Sequence, residues 1–95
     1  MGEIERLQQE IAAWADQIVP NRTSLSIIAK MLEEMAELIA SPKMGDPFEI
    51  ADVAILMLDL CHIQGVDLES AVKAKMEINR RRNWNVSDNG RAQHD

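Results

Sequence analysis

Glu33, Glu34 and Glu37 on one stretch of the chain, and Glu49 and Asp52 on the next, are the residues best equipped for chemistry. Glu34/Glu37 and Glu49/Asp52 are two i, i+3 pairs, and residues so spaced share a helix face. Two such pairs on adjacent helices aim hard oxygen donors at one volume between them. Without a cation the cluster repels itself. With no competent Cys or His ligand beside them, oxygen donors select Mg²⁺, with Mn²⁺ as a substitute, over Zn²⁺. Such a site suits cleavage of a phosphoanhydride, where water attacks phosphorus while the cation stabilises charge on the oxygens. A solvated acidic helix face is the plainer alternative, and Glu49 also stands where a capping box would place an acid after Asp46. Asp52 lies one turn deeper, beyond the reach of that explanation.

A second group carries the opposite charge. Leu68, Ala71 and Val72 mark one face of a helix, and about 100° per residue carries that face on to Lys75, Asn79 and Arg82. An inward stripe that changes from apolar to Lys, Asn and Arg is suited to an anion such as a polyphosphate. The helix C-terminal dipole accounts for Arg80 and Arg81 as a solvated run, but less well for Lys75 and Asn79. No GxxxxGK[ST] loop and no Ser/His/Asp set occurs in the chain, which excludes P-loop and acyl-transfer chemistry.

Four helices are expected to position these groups. The first, over 3–18, carries Ile4, Leu7, Ile11, Trp14 and Ile18 as one apolar stripe and stops at Pro20. Trp14 is either a core or interface anchor or a ring that stacks on a planar ligand. Thr23 or Ser24 caps the second helix, which runs to about Ala40 with Leu25, Ile28, Leu32, Met35 and Ile39 as its stripe. Glu34 is set apart from its acidic neighbours, being flanked by Ile27, Met31 and Leu38, where an unpaired carboxylate is costly. Pro42 and Gly45 break the chain, Asp46 caps the third helix and Pro47 opens it. From Ile50 to Ile63 this helix is apolar nearly all round and is expected to be buried, with Glu49, Asp52 and Asp59 along one narrow polar stripe. Gly65 and Asp67 stop it and start the fourth helix, over 68–83.

With 95 residues, three aromatics and no Tyr, the chain is expected to be all-α, a four-helix bundle in one domain over 1–84. Too few elements exist to cover the third helix, so a second copy is expected to complete the core, as a homodimer or a dimer of dimers. The tail 85–95 is polar and is expected to be disordered. A net charge of −6 argues against binding a nucleic-acid polymer. Cys61 has no intrachain disulfide partner and reads as a buried thiol. With neither a secretory signal nor an apolar run of membrane-spanning length, a cytoplasmic protein without membrane contact is expected.

Glu33-Glu34-Met35-Ala36-Glu37 followed by Glu49-Ile50-Ala51-Asp52 resembles the EExxE…ExxD signature of the MazG-like, all-α nucleoside triphosphate pyrophosphohydrolases. Lys75 through Arg82 resembles the KxxxNxxR element of their short members, such as the dCTP pyrophosphatase-like and phage-encoded ones. The resemblance implies hydrolysis of a (deoxy)nucleoside triphosphate between the α and β phosphates to monophosphate and pyrophosphate, in a nucleotide-pool house-cleaning role. It implies Glu34, Glu37, Glu49 and Asp52 as Mg²⁺ ligands, and Glu33 as the group that orients or deprotonates the attacking water. Lys75, Asn79 and Arg82 become phosphate or sugar contacts, Trp14 a stacking platform for the base, and Gln17 and Asn21 its polar readers. The alternatives are a phosphoribosyl-ATP pyrophosphatase-like enzyme and a non-catalytic, metal-stabilised helical dimerisation module.

Overall fold

The computed structural model of the chain describes residues 2–42, 45–82, 84–86, 90 and 92–94. It contains helices α1 (Glu3–Ile18), α2 (Ser24–Ala40), α3 (Pro47–Gln64) and α4 (Leu68–Arg81), followed by strands β1 (Trp84–Val86) and β2 (Ala92–His94). Residues 43 and 44 of the expected break, and Asn83 at the expected end of the fourth helix, lie outside the described residues.

The helix boundaries follow from local chemistry. Thr23 Oγ1 accepts from Ser26 N at 3.1 Å and Ser26 Oγ accepts from Thr23 N at 2.8 Å, a reciprocal cap that starts α2. Asp46 Oδ1 accepts from Phe48 N at 2.8 Å, with Pro47 in the first turn of α3. Gly65 ends α3 at φ 69°, ψ 31°, a left-handed conformation open to glycine. Gln8, buried on α1, then clamps the connection: its Nε2 donates to Val66 O and its Oε1 accepts from Leu68 N, both at 3.2 Å.

α3 is the central element, packing on α2 and on α1, while α4 packs on α1. The apolar core of the described residues is small and consists of Ala12, Ala15, Ile27, Met31, Leu58 and Cys61. It does not use the expected stripes of α1 and α2. Leu25, Leu32 and Ile39 are 76%, 63% and 75% exposed, and Ile4, Leu7, Trp14 and Ile18 are exposed as well. The inward face of α2 is instead Ile27 and Met31, with Glu34 and Leu38 half-buried beside them. Small Ala12 and Ala15 let α1 approach closely, so the bulkier stripe is left outside. α3 is likewise covered on one side only: Leu58, Asp59 and Cys61 are buried, but Ile50, Ile55, Met57 and Ile63 are exposed. Burial all round is therefore not achieved by a single chain.

Two further expectations change. Arg82 is the C-cap of α4, with φ −90° and ψ 151°, so it leaves the helical stripe that Lys75 and Asn79 share. The tail is not uniformly disordered: β1 and β2 pair antiparallel, with Trp84 opposite His94 and Val86 opposite Ala92. Gly90, between the two strands in sequence, is at φ 81°, in the left-handed region open to glycine.

Candidate active site

Glu34 and Glu37 rise from the α2 side, and Glu49 and Asp52 from the first turns of α3, across the most extensive helix contact in the fold. Glu34 is on the inward face, its side chain 19% exposed. Lys30 Nζ stands 3.5 Å from Glu34 Oε1 and 4.0 Å from Glu33 Oε2. Both are partly exposed helical pairs of modest strength. Glu49 is half-buried, and its Oε2 is buried with no hydrogen-bond partner. Asp46 alone caps α3, so a capping role does not explain Glu49. Glu33, Glu37 and Asp52 are exposed. Among the described residues no three His, Cys, Asp or Glu side chains stand together closely enough to hold a metal ion.

Beside these carboxylates lies a cavity of about 410 Å³ between α1, α2 and α3. Trp14, Ile11, Ile27 and Ile55 supply apolar wall, and Arg22, Ser26, Lys30 and Asp59 are its polar members. Lys30 thus belongs both to the cavity and to the acidic cluster. Arg22 and Asp59 form a two-point ion pair, Nε to Oδ2 at 2.6 Å and Nη2 to Oδ1 at 2.8 Å, with side chains only 6% and 5% exposed. Arg22 Nη1 also donates to Asp16 Oδ1 at 2.8 Å. The hydrogen bonds it donates to Asp59 hold the guanidinium above its already high ordinary range, against the opposing effect of burial, with Asp16 adding to the shift. This pair ties the α1–α2 turn to the middle of α3.

The sequence-predicted residues divide in consequence. Trp14 lines the cavity, whereas Gln17 and Asn21 are exposed and do not. Lys75 is exposed, and Asn79 and Arg82 are half-buried. Asn79 Oδ1 is buried without a partner, and Asn79 O accepts from Trp84 Nε1 at 2.9 Å, which ties β1 to the end of α4. Because Gln8 anchors the start of α4 on α1, no comparably extensive contact joins α4 to α2 or α3 among the described residues. One chain therefore does not form the cationic wall opposite the carboxylates that the sequence led us to expect. Sequence reasoning missed Arg22, Lys30 and Ser26 as cavity residues. Asp59 was visible as the last acid of the narrow polar stripe on the third helix, but its partner Arg22 was hidden in a polar turn.

Comparison with known proteins identifies the architecture. The sequence model of the dATP/dGTP pyrophosphohydrolases matches residues 7–95. The chain belongs to this family. It is 50% identical over 91 residues to a dATP/dGTP diphosphohydrolase of cyanophage S-2L, covering 96% of this chain and 87% of that one. A dATP/dGTP diphosphohydrolase of Salmonella phage PMBT28 is 43% identical over 93 residues, which are 98% of this chain but 32% of that protein. A solved structure, the cyanophage S-2L MazG-like pyrophosphohydrolase bound to dGDP and three catalytic Mn²⁺ ions per active site, superposes with a TM-score of 0.91 at 48% identity. It spans 100% of this chain and 94% of that one. The all-α, MazG-like fold and the pyrophosphohydrolase class expected from the sequence are thus shown, and the non-catalytic alternative is set aside. As a dATP/dGTP pyrophosphohydrolase family member, the chain carries no described helix long and apolar enough to cross a membrane.

Proposed function

We infer that this protein hydrolyses purine deoxynucleoside triphosphates, dATP and dGTP, between the α and β phosphates, releasing the monophosphate and pyrophosphate. The observation that carries this reading is the position of Lys30, which lines the apolar cavity and pairs with Glu34 of the acidic cluster. A planar base and a charged triphosphate then have adjoining compartments. The similarity to dATP/dGTP diphosphohydrolases along nearly the whole chain supports the choice of purine deoxynucleotides. Nothing in the residues favours a phosphoribosyl-ATP substrate.

The acidic residues fit a divalent cation, Mg²⁺ or Mn²⁺. Glu34, Glu37, Glu49 and Asp52 are hard oxygen donors, and the buried Glu49 Oε2 has no protein partner to satisfy it. These four side chains would hold the metal, which when bound neutralises phosphate charge and polarises the phosphoanhydride. Glu33, exposed beside Glu34, orients the attacking water and takes its proton. Lys30 offers its ammonium to the phosphate nearest the base. Trp14 stacks on the base. Gln17 and Asn21, exposed and outside the cavity wall, are assigned as polar readers of the base.

Lys75, Asn79 and Arg82 bind phosphate or sugar. Since α4 is anchored on α1, we assign them to a site completed by a second copy of the chain. The exposed stripe Leu25, Ile28, Leu32, Met35 and Ile39 gives that copy a surface to cover, as a homodimer or dimer of dimers. Light scattering that returns a monomer at working concentration removes this part of the reading.

Pyrophosphate release from a panel of dNTPs and NTPs with Mg²⁺ and with Mn²⁺ tests the function. Release is expected from dATP and dGTP, falling at least about 100-fold in Glu37→Gln and Asp52→Asn with the helical circular dichroism unchanged. Equal release from pyrimidine nucleotides would sink the purine assignment, and full activity of both variants would sink the metal site.

A further inference from the structure

Asp59 is a carboxylate buried in the middle of an apolar helix, 4% exposed, yet it lines the cavity between α1, α2 and α3. Its partner Arg22 lines the same cavity but has no hydrogen to spare. Nε and Nη2 donate to Asp59, Nη1 donates to Asp16 and to Val19 O, and Nη2 also donates to Ala12 O. All five guanidinium N–H groups are engaged, which excludes Arg22 as a phosphate ligand. The carboxylate differs. Each of its oxygens accepts one hydrogen bond from Arg22, at 2.6 and 2.8 Å, and each has a second lone pair. Unused acceptor capacity on a fixed, charged group therefore remains in a cavity whose other walls include Trp14, Ile11 and Ile55.

The geometry points to Asp59 as the residue that reads the base: a specificity-determining acceptor for the amino groups of adenine and guanine, aimed by Arg22. The assignment rests on the purine deoxynucleotide reading above. Adenine offers its 6-amino group, and guanine its N1–H and 2-amino group, as donors at the base edge. A site with a buried, fixed acceptor discriminates against an analogue that lacks the donor, because a lone pair of the charged carboxylate, beyond those bonded to Arg22, then goes unfilled away from water. The surrounding apolar wall supplies affinity without discrimination between these analogues. Arg22 acts as a positioning residue, holding the direction of the carboxylate without touching substrate.

The test compares substrates that differ by a single amino group. For the wild-type protein, kcat/KM for pyrophosphate release is measured for dGTP against dITP, and for dATP against purine deoxyriboside triphosphate. A preference of about ten- to a hundredfold for the amino-bearing member of each pair is expected, shrinking to within about threefold in Asp59→Asn. If Asp59→Asn does not fold by circular dichroism, the double variant Arg22→Met/Asp59→Leu, which leaves no buried charge unpaired, carries the same comparison. Equal use of both members of each pair by the wild type overturns the assignment while leaving dATP/dGTP hydrolysis intact. A preference that persists undiminished in a folded variant also overturns it. Absence of hydrolysis of dATP and dGTP by the wild type overturns both this inference and the function on which it rests.

Discussion

The two ends of the candidate site are built on opposite terms. At the cavity end, Arg22 and Asp59 are buried against each other, with every guanidinium hydrogen engaged and both carboxylate oxygens bonded. At the acidic end, among the described residues, Glu49 Oε2 is buried without a hydrogen-bond partner, Glu33 and Glu34 share Lys30 at 4.0 and 3.5 Å, and no metal-ready triad is formed. Both ends contain carboxylates near apolar surface on the same helix, α3. The difference is that the first set has a buried cation of the chain bonded to it, and the second has only the partly exposed Lys30 beside it. The cavity end is therefore preformed, whereas the acidic end is left with carboxylate charge that Lys30 only partly balances.

Arg22→Ala is the sharpest way to break this contrast. Removing one partner of a buried ion pair leaves Asp59 unpaired in an apolar setting, and a loss of about 3–5 kcal/mol of stability is expected in urea denaturation. A loss below about 1 kcal/mol would mean that the cavity end is not held by this pair. The acidic end should behave oppositely. Glu49→Gln removes the charge of a half-buried carboxylate whose buried Oε2 has no hydrogen-bond partner, so stability without metal should be unchanged or higher. Wild type should gain about 1.4 kcal/mol from Mn²⁺ or Mg²⁺ at ten times its Kd, by mass action, and Glu49→Gln should lose most of that gain. Thermal melts with cation and with chelator measure both quantities; an undiminished gain in the variant removes Glu49 from the ligand set.

The smallest effect concerns Cys61, buried two residues beyond Asp59 on the covered side of α3. Burial pushes its thiol above the usual range, and the thiolate is the reactive form. Iodoacetamide should therefore modify the native protein at least about tenfold more slowly than the urea-unfolded chain at pH 8, with the gap narrowing as pH rises. Arg22→Ala should speed the native reaction, while Glu49→Gln should leave it unchanged. Equal labelling of native and unfolded chains would show that this side of α3 opens freely.

Much of the fold was legible in the residues. Pro20, the Thr23 cap, the Asp46-Pro47 start and Gly65 marked helix ends because each acts through its own backbone geometry, within a few residues. The i, i+3 spacing within Glu34/Glu37 and within Glu49/Asp52 was legible too, but not how deeply each side chain sits: Glu34 and Glu49 are half-buried, Glu37 and Asp52 exposed. The flank of Glu34 by Ile27, Met31 and Leu38 correctly marked the inward side of α2, even though the longer stripe through Leu32 was expected to be the core. That stripe misled because periodicity reports that a face is apolar, not which neighbour covers it.

The sequence by itself determined the helices, their ends, the acidic pairs and the chemistry those pairs suit. Only the tertiary structure decided that Ala12 and Ala15 make the close helix contact, that Arg22 reaches across to Asp59, that Lys30 joins the cavity to the acidic cluster, and that α4 lies on α1. Each of these depends on contacts between residues far apart in the chain, where packing volume and the satisfaction of buried charge choose among faces that local pattern leaves equivalent.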